Sequence, residues 1–508
     1  MDAKKNLMGS RFSNIILHLL FAAFLICCYG INTAEAVSRS EYAAPAPEDF
    51  SNLSWSDAFE KLHFKISHEY AFTDWKKIDW SAMYIKTKPK ITAAQASGDF
   101  TGYYLALKEY LHCIPDGHVR MTSILKIDNR YIGGCFGFSA VKLSDGELIA
   151  SWVDEKSEAF AKGMRAGAEI IEWDGRPAED VLNDVPVIFG PNSATAEDLI
   201  NQRARYLTRA PIGTAAVIRF SNLRGNTEMV SVTAYDDKGK TLRMTYPYCV
   251  LSDGLRDLII GSENPQSPPE SMVEKKILNG NIGYIKLWGE LDIDLEDTGK
   301  TPSTLGLFKK TLTEFNSRGV KGLILDIRNN VGGLDSMVAD MLGSFYTQKE
   351  LYEYQNSYNT ITGRMEIRPD PSIKKKSSDP GLYIYPASPF FSGAVAVLIN
   401  SKCVSSAEGL AKGIKNLQRG EAIGFYGTNG SFGLAGDEAR LPGGLEVHWP
   451  YGQSLDKNKI VQIDSRNGHG GVSPSIRIPM TLDNALKTAE GEDVELEYAL
   501  SVINSLIR

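Results

Sequence analysis

The sequence predicts an α/β protein with a helical N-terminal region, a central β-rich region and a C-terminal core of alternating strands and helices. Three observations lead to this prediction. Residues 37–127 carry aromatic and apolar side chains at three-to-four spacing, which is typical of helices. Short β-like runs, such as "AAVIRF" and "MVSVTAY", recur through residues 128–235. From residue 273 onward, β-like and helical segments alternate, which indicates an α/β layer with parallel strands.

The first 36 residues are predicted to form a signal peptide. Three basic residues precede the apolar run "IILHLLFAAFLICC", and "TAEA" places Ala34 and Ala36 at the −3 and −1 positions of a cleavage site. A lipoprotein attached through Cys28 is an open alternative. The mature protein is therefore predicted to begin after Ala36, to be periplasmic or extracellular, and to keep no stable membrane span.

Charge and composition argue against binding of nucleic acid, metal ions or cofactors. The net charge is −7 over 508 residues and no basic stripe is present, so nucleic acid is not a predicted partner. The histidines lack metal-ligand spacing and the cysteines form no CxxC motif, so neither a metal site nor a cofactor is predicted. The disulfide state stays open for the four cysteines beyond the signal segment: Cys113, Cys135, Cys249 and Cys403.

A serine pair stands at the mouth of a predicted helix in "VLINSKCVSSAEGLAKGI", residues 397–414. The pattern indicates a buried strand, a tight turn and a helix. Ser405 and Ser406 fit the N-cap position, where a hydroxyl accepts the first free amide protons. One of them could equally be a nucleophile, because the helix amides and dipole face any negative charge that develops there. The stretch alone leaves both interpretations open.

Two further segments carry candidate chemistry. In "GLILDIRNNVGGLDS", the pair Gly332 and Gly333 can turn backbone N–H groups toward one point, as an oxyanion hole requires. A plain strand-to-helix loop is the alternative interpretation. In "LHCIPDGHVRM", His118 follows an Asp-Gly turn and is a candidate general base or a structural histidine.

The central region resembles a PDZ domain. "IGGCFGF" is similar to the carboxylate-binding loop, and "AKGMRAGAEIIEWDG" to the helix and following strand, with Ala168 where the family usually has Asp. In a PDZ domain, loop amides hold the C-terminal carboxylate of a peptide that adds to the sheet edge. The resemblance implies five peptide-binding residues: Gly133, Gly134, Phe136, Gly137 and Phe138.

Taken together, these segments resemble the S41 peptidase family, the carboxyl-terminal processing and tricorn-type serine proteases. "GYIKLW", "KGLILDIRNNVGG" and "VLINSKCVSSAE" follow one another in that family's order. The resemblance implies a ClpP/crotonase-like catalytic core with a PDZ-like β-rich domain and an N-terminal helical domain. The implied boundaries are 1–36 for the signal peptide, 37–127 for the helical domain, 128–235 for the PDZ-like domain, 236–272 for a connector and 273–508 for the catalytic domain.

The resemblance also implies roles for single residues. The family's nucleophile lies three positions before the Glu of its S-x-S-x-x-E motif, which is Glu408 here, so Ser405 is the implied nucleophile and Cys403 replaces the first Ser. Gly332 or Gly333 and the N–H of Ser406 would bind the oxyanion. One branch of the family uses a Lys base where this chain has Ser431.

The other branch uses a His in a D-G-H context, which His118 matches. For the acid that orients this His, Gly468 occupies the position that the resemblance implies. Asp464 is the nearest carboxylate and is therefore the candidate acid, while His469 has no assigned role. The implied protein is an exported serine endopeptidase that acts on proteins or peptides through an acyl-enzyme on Ser405.

The alternatives are a non-catalytic binding protein on the same core, for small apolar ligands or peptide C-termini, and a PDZ-led scaffold. The oligomeric state is open.

Overall fold

The computed structural model describes residues 43–223, 225, 227–244, 271–294, 300–368, 379–463, 465–466 and 471–507. The predicted signal peptide and most of the predicted connector lie outside these ranges. Helices and strands are mixed along the described chain, which confirms the predicted α/β class.

The N-terminal region is mainly helical. Three of its helices begin at polar caps: the side chain of Ser54 accepts the Asp57 N–H, that of Asp79 accepts the Ala82 N–H, and that of Asp99 accepts the Gly102 N–H. The elements are β1 (Glu48–Asp49), α1 (Trp55–Glu69), α2 (Thr73–Lys76), α3 (Trp80–Ser97), α4 (Phe100–His112), β2 (Arg120–Met121) and α5 (Leu125–Ile132). His118 therefore lies in the loop between α4 and β2.

The central region contains an antiparallel sheet and short helices. Its elements are β3 (Gly134–Cys135), β4 (Phe138–Lys142), β5 (Leu148–Val153), α6 (Glu158–Ala161), β6 (Ala168–Trp173), β7 (Arg176–Pro177), α7 (Ala178–Asp184), α8 (Ala196–Leu207), β8 (Arg209–Ala210), β9 (Ala215–Ser221), β10 (Thr227–Thr233) and α9 (Lys240–Met244). The sheet has the order β10-β9-β6-β5-β4, with β7 beside β6.

The C-terminal part begins at β11. Its elements are β11 (Val273–Leu278), β12 (Ile282–Leu287), α10 (Thr304–Ser317), β13 (Gly322–Asp326), α11 (Asp335–Leu342), β14 (Glu350–Asn359), β15 (Arg364–Arg368), β16 (Leu382–Ile384), β17 (Ala394–Leu398), α12 (Ser406–Lys415), β18 (Gly420–Gly424), β19 (Gly433–Leu441), β20 (Leu445–Leu455), β21 (Ile476–Arg477), α13 (Leu482–Glu490) and α14 (Val494–Leu506).

The core sheet has the strand order β11-β12-β13-β17-β18-β21. Strand β11 pairs antiparallel with β12, and the remaining neighbours run parallel. Every residue of β13 and β17 is buried, as expected for strands covered on both faces by helices. In such sheets ligands bind beyond the carboxyl ends of the strands, so the loops after β13 and β17 are the natural place for a site.

A second sheet links the two ends of the chain. Its strand order is β1-β19-β20-β14-β15, with β16 on β14 and β2 on β20. The N-terminal helices pack on the β19–β20 hairpin, where Val447 and Trp449 are fully buried beside Phe59 and Tyr103. The helical region therefore shares its hydrophobic core with residues more than 300 positions later.

Within the described residues, no helix combines the length and apolar character needed to cross a bilayer. Over the same ranges, no group of three or more His, Cys, Asp or Glu side chains is arranged to hold a metal ion. Cys113, Cys135 and Cys403 are free thiols, and Cys249 lies outside the described residues.

Candidate active site

Ser405 lies in a strained turn between β17 and α12. Its φ is +61° and its ψ is −131°, a region that residues with side chains rarely occupy. An ordinary N-cap residue has extended backbone angles, so capping alone does not account for this conformation. A sharp strand-to-helix turn of this kind is typical of nucleophilic serines, because it exposes the side chain at the end of the sheet.

Glu408 holds the backbone of this turn. Its carboxylate accepts the Ser405 N–H at 3.2 Å, the Gly430 N–H at 2.7 Å and the Ser431 N–H at 2.9 Å. The Thr428 hydroxyl donates a fourth hydrogen bond at 2.6 Å. Burial raises the pKa of Glu408 to about 7, although these donors act to lower it. The Glu of the sequence motif thus ties the turn to the chain before β19.

Gly332 packs directly against the Ser405 turn. A Cβ atom at this position would lie 2.8 Å from each of three atoms: the Ser405 Cβ, the Ser406 nitrogen and the Val404 oxygen. The φ of Gly332 is +91°, which also favours glycine. The loop after β13 can therefore approach the serine turn this closely only with glycine at position 332.

The amides near this contact differ in their hydrogen bonds. The Gly332 N–H donates to the Asn330 side-chain oxygen at 2.8 Å. Ser406 begins α12, so its N–H lacks an intrahelical acceptor. Its single hydroxyl proton is shared between the Asp335 carboxylate at 2.9 Å and the Gly333 carbonyl oxygen at 3.0 Å. The Gly333 N–H has no acceptor among the described residues. Gly333 and Ser406 therefore offer N–H groups that the fold has not used.

Ser431 joins the loop of His118 to the Ser405 turn. Its hydroxyl accepts the Gly117 N–H at 2.8 Å and donates to the Asn429 side-chain oxygen at 2.7 Å. Its carbonyl oxygen accepts the Ser405 N–H at 3.2 Å. The fully buried Ser431 thus connects two loops that are 288 residues apart in the sequence.

His118 and Asp116 form a close pair in this loop. The imidazole Nδ1 lies 3.4 Å from Asp116 Oδ1, and the backbone N–H of His118 donates to the same oxygen at 2.9 Å. Both imidazole nitrogens are buried and have no hydrogen-bond partner among the described residues. The histidine ring is therefore available for a bond to a substrate or to a neighbouring hydroxyl.

Asp116 is completely buried. Its Oδ2 accepts hydrogen bonds from the Tyr70 hydroxyl at 2.8 Å and the Lys76 ammonium at 3.1 Å. Burial opposes ionisation, but Lys76 and His118 outweigh it and hold the pKa of Asp116 well below its usual range. An ionised carboxylate next to Nδ1 is the arrangement that orients a catalytic histidine.

Asp464, the acid candidate from the sequence, lies outside the described residues. Gly468, which occupies the expected acid position, and His469 lie outside them as well. Ser465 and Arg466, which lie between them, are described. Together with Trp75, Lys77 and Pro115, they line a cleft of about 430 Å³ beside the Asp116–His118 loop.

The predicted peptide-binding loop is tied into the fold by its own amides. The Gly133 N–H donates to the Asn129 carbonyl oxygen, the Phe136 N–H to the Thr208 carbonyl oxygen, and the Gly137 N–H to the sulfur of Cys135. Gly134 pairs with β8, and Phe138 belongs to β4. A carboxylate could use these N–H groups only if the internal bonds were exchanged.

The central region contacts the serine loop through the N-terminus of α8. Lys402, three residues before Ser405, forms a buried ion pair with Asp198 at 3.3 Å. The neighbouring Glu197 accepts the Gly427 N–H at 2.6 Å and binds Arg477 at 2.8 Å. Lys402 therefore has a carboxylate partner. The neighbouring Cys403 is a buried thiol, and burial raises its pKa to about 12.

Sequence reasoning missed three residues that shape the site. In the sequence Asp116 is only part of a turn, although its position two residues before His118 is a usable signal. Ser431 looks only like the loss of a lysine, because its bridging role follows from contacts between distant loops. Asn330 carries no motif of its own.

The fold is similar to that of solved structures. The structure of mature CPAF complexed with lactacystin superposes with a TM-score of 0.60 at 17% sequence identity, and the match covers 89% of this chain and 98% of the CPAF chain. Mature CPAF alone gives a TM-score of 0.60 at 17% identity, covering 89% and 97%, respectively. No curated protein sequence matches this chain.

The family comparison agrees with the motifs predicted from the sequence. Residues 281–478 match the sequence model of peptidase family S41. The matched segment includes β12, β13, the loop with both glycines, and the Ser405 turn. The resemblance inferred from the sequence is thereby confirmed, and the chain carries a peptidase family S41 domain over residues 281–478.

Proposed function

We propose that this protein is a serine endopeptidase that cleaves peptide bonds through an acyl-enzyme on Ser405, with His118 as the general base. One observation carries the proposal: Ser431 is hydrogen-bonded to both the Gly117 N–H and the Ser405 N–H. This bridge links the histidine loop to the serine turn and supports a single site that contains both. The strained backbone of Ser405 supports the same role.

In the proposed reaction, His118 removes the hydroxyl proton of Ser405 as the oxygen attacks the substrate carbonyl carbon. The protonated imidazole then donates this proton to the leaving amine, and the acyl group remains on Ser405 as an ester. A water molecule, deprotonated by His118, hydrolyses the ester and restores the free serine. Histidine suits both steps because its ordinary pKa lies near neutral pH.

The negative charge of the tetrahedral intermediate would be bound by the N–H groups of Gly333 and Ser406. The sequence left Gly332 and Gly333 as alternatives. Gly333 is preferred here because the Gly332 N–H already donates to Asn330. Donors fixed in this way stabilise the transition state without reorganising during the reaction.

Asp116 is proposed as the acid that orients His118. Its carboxylate lies 3.4 Å from Nδ1 and is kept ionised by Lys76, so it favours the tautomer with the proton on Nδ1. The other ring nitrogen is then free to accept the serine proton. Asp464, the candidate from the sequence, is not needed for this arrangement.

Export to the periplasm or the exterior is part of the proposal and rests on the signal-like residues 1–36. Proteins or peptides are the proposed substrates. The PDZ-like region would act on the site through the Asp198–Lys402 contact. Capture of substrate C-termini by residues 133–138 would first require exchange of the loop's internal hydrogen bonds.

The test is covalent labelling with a fluorophosphonate probe, followed by location of the adduct by mass spectrometry. We expect the adduct on Ser405, its loss in Ser405→Ala, and slower labelling in His118→Ala. His112→Ala is a matched control, because the two ring nitrogens of that imidazole lie 3.0 Å from the carbonyl oxygens of Lys108 and Gly190. An unlabelled wild-type protein that binds a fluorescent fatty acid tightly would instead support the alternative, a non-catalytic binding protein.

A further inference from the structure

A second buried carboxylic acid lies behind the glycine loop. Glu290 follows β12 by three residues and is fully buried. Its backbone pairs with the loop: the Glu290 N–H donates to the Gly332 carbonyl oxygen at 3.3 Å, and the Leu334 N–H donates to the Glu290 carbonyl oxygen at 2.9 Å. A Cβ on Gly333 would lie 2.3 Å from that Glu290 oxygen, so the two backbones are in direct contact.

The side chain of Glu290 reaches the same loop through Asn330. Its Oε1 accepts the Asn330 amide N–H at 2.8 Å, and the Asn330 side-chain oxygen accepts the Gly332 N–H at 2.8 Å. These bonds fix the direction of the Gly332 amide. Because Gly332 and Gly333 are adjacent, the same bonds restrict where the Gly333 N–H can point.

The other oxygen of Glu290 is unusual. Oε2 is buried and has no hydrogen-bond partner among the described residues. In such surroundings an ionised carboxylate costs far more free energy than the neutral acid. Burial and the nearby Asp335 carboxylate raise the pKa of Glu290 to about 8, although Asn330 acts to lower it. Glu290 is therefore mainly neutral at pH 7.

Among the described residues, the titratable groups that face Glu290 lie on α11 and β14. Asp335 accepts the Ser406 hydroxyl at 2.9 Å and the Tyr352 hydroxyl at 3.1 Å. Tyr352 has a pKa raised well above its usual value, first by burial and then by the surrounding carboxylates, Glu290 among them. It therefore stays neutral, and Asp335 is the charged neighbour that opposes ionisation of Glu290.

We propose that Glu290 is a positioning residue for the oxyanion-binding amides: its carboxyl group holds Asn330, and Asn330 fixes the Gly332–Gly333 backbone. The inference rests on the proposed function and extends it. Ionisation of Glu290 in alkaline solution would add a negative charge opposite Asp335 and behind the amides that must bind an oxyanion. Turnover should then fall as the pH rises through about 8.

The experiment measures kcat and KM for a peptide substrate from pH 6 to pH 10. We expect Glu290→Ala and Asn330→Ala to lower kcat by on the order of 10², the scale lost with one oxyanion donor, with little change in KM. Glu290→Gln mimics the neutral acid, so it should restore most of the lost kcat and remove the alkaline decline. Glu438→Gln is a matched control, because Glu438 is also buried with a raised pKa but lies on β19.

A second readout does not depend on activity. The raised pKa means that the folded state binds more protons than the unfolded state between pH 4.5 and 8, so this group makes stability fall as the pH rises across that window. Glu290→Gln lacks this loss, and its Tm relative to wild type should increase from pH 5 to pH 8. If Tm depended on pH equally in wild type and in Glu290→Gln, Glu290 would not be neutral in the folded protein.

The failures of the two proposals are distinguishable. A fluorophosphonate adduct on Ser405 together with an alkaline decline that persists in Glu290→Gln overturns only the role of Glu290. A kcat for Glu290→Gln as low as that of Glu290→Ala also overturns it. The absence of an adduct on wild-type protein overturns the proposed function and this inference with it.

Discussion

The imidazole Nδ1 of His118 lies 3.4 Å from Oδ1 of Asp116, and the Asp116 carboxylate is completely buried. The pair comes from one short turn, so its geometry is local and does not depend on domain motion. Asp116 also binds Tyr70 and Lys76, which anchor the turn to the helical region. A carboxylate held this firmly can fix both the orientation and the tautomer of the histidine.

Asp116→Asn should lower kcat by about 10²–10⁴-fold, because an amide does not enforce the required tautomer and no longer stabilises a protonated imidazole. Initial rates with a peptide substrate provide the measurement. Asp74→Asn on the neighbouring helix is the control, since Asp74 is exposed. Wild-type turnover in Asp116→Asn would show that another group orients His118.

Asp116 should also make stability depend on pH. Its pKa is lower in the folded state than the unfolded value of about 3.9, so it stabilises the fold above that pH, and this contribution is lost as the pH falls. The Tm of Asp116→Asn should therefore lie below that of wild type at pH 7, with the difference shrinking below about pH 4. A difference that is independent of pH would contradict the ionised state of Asp116.

Ser431→Ala should lower kcat by roughly 10–100-fold while the fold persists. The substitution removes the acceptor of the Gly117 N–H but keeps the carbonyl oxygen that binds Ser405, so the histidine loop loses its alignment with the serine. Kinetics and the rate of fluorophosphonate labelling both report this change. Ser475→Ala is the control, because this hydroxyl contacts Ala422 and Glu421 of β18; the variant should label at the wild-type rate.

Gly332→Ala should abolish labelling of Ser405. An added Cβ would lie 2.8 Å from the Ser405 Cβ and from two backbone atoms, and the φ of +91° is unfavourable for alanine. Gly319→Ala is a matched control: its φ is +66°, but no atom lies within 4 Å of the added Cβ. The control should cost about 1–2 kcal/mol of stability and leave labelling intact. Equal labelling of Ser405 in Gly332→Ala and Gly319→Ala would argue against the close contact between Gly332 and the Ser405 turn.

Lys402→Met should destabilise the fold by about 3–5 kcal/mol, because it leaves Asp198 buried without its cation. Denaturant unfolding measures this loss. The double variant Lys402→Met with Asp198→Leu should recover much of the stability and should still be labelled at Ser405. Loss of labelling in the folded double variant would point to a lysine base and would overturn the role of His118.

The sequence predicted those parts of the protein whose signals are local. Buried strands followed by helices identify β13, β17 and α12, and the serine motif places Ser405 at the turn between them. The Asp-Gly-His segment identified the histidine. Each of these patterns is contained within about 20 residues, so it can be read without knowing the tertiary structure.

Long-range contacts could not be predicted in this way. The bridge from Gly117 through Ser431 to Ser405 depends on how three distant loops pack, and serine at 431 looked only like the loss of a lysine. Glu290 and Asn330 occupy loops whose sequences carry no periodic signal. The packing of the N-terminal helices on the β19–β20 hairpin likewise leaves no local trace, because apolar residues on a helix do not specify their partner.

That shared core has a consequence for biosynthesis. A chain emerging from the ribosome presents His118 early, but the hairpin that supports the surrounding helices ends at Leu455 and is made late. Nascent fragments that end before Leu455 lack part of the hairpin on which the N-terminal helices pack, so these helices cannot complete their hydrophobic core. The turn that carries Asp116 and His118 therefore gains its full support only after both strands of the hairpin have been synthesised.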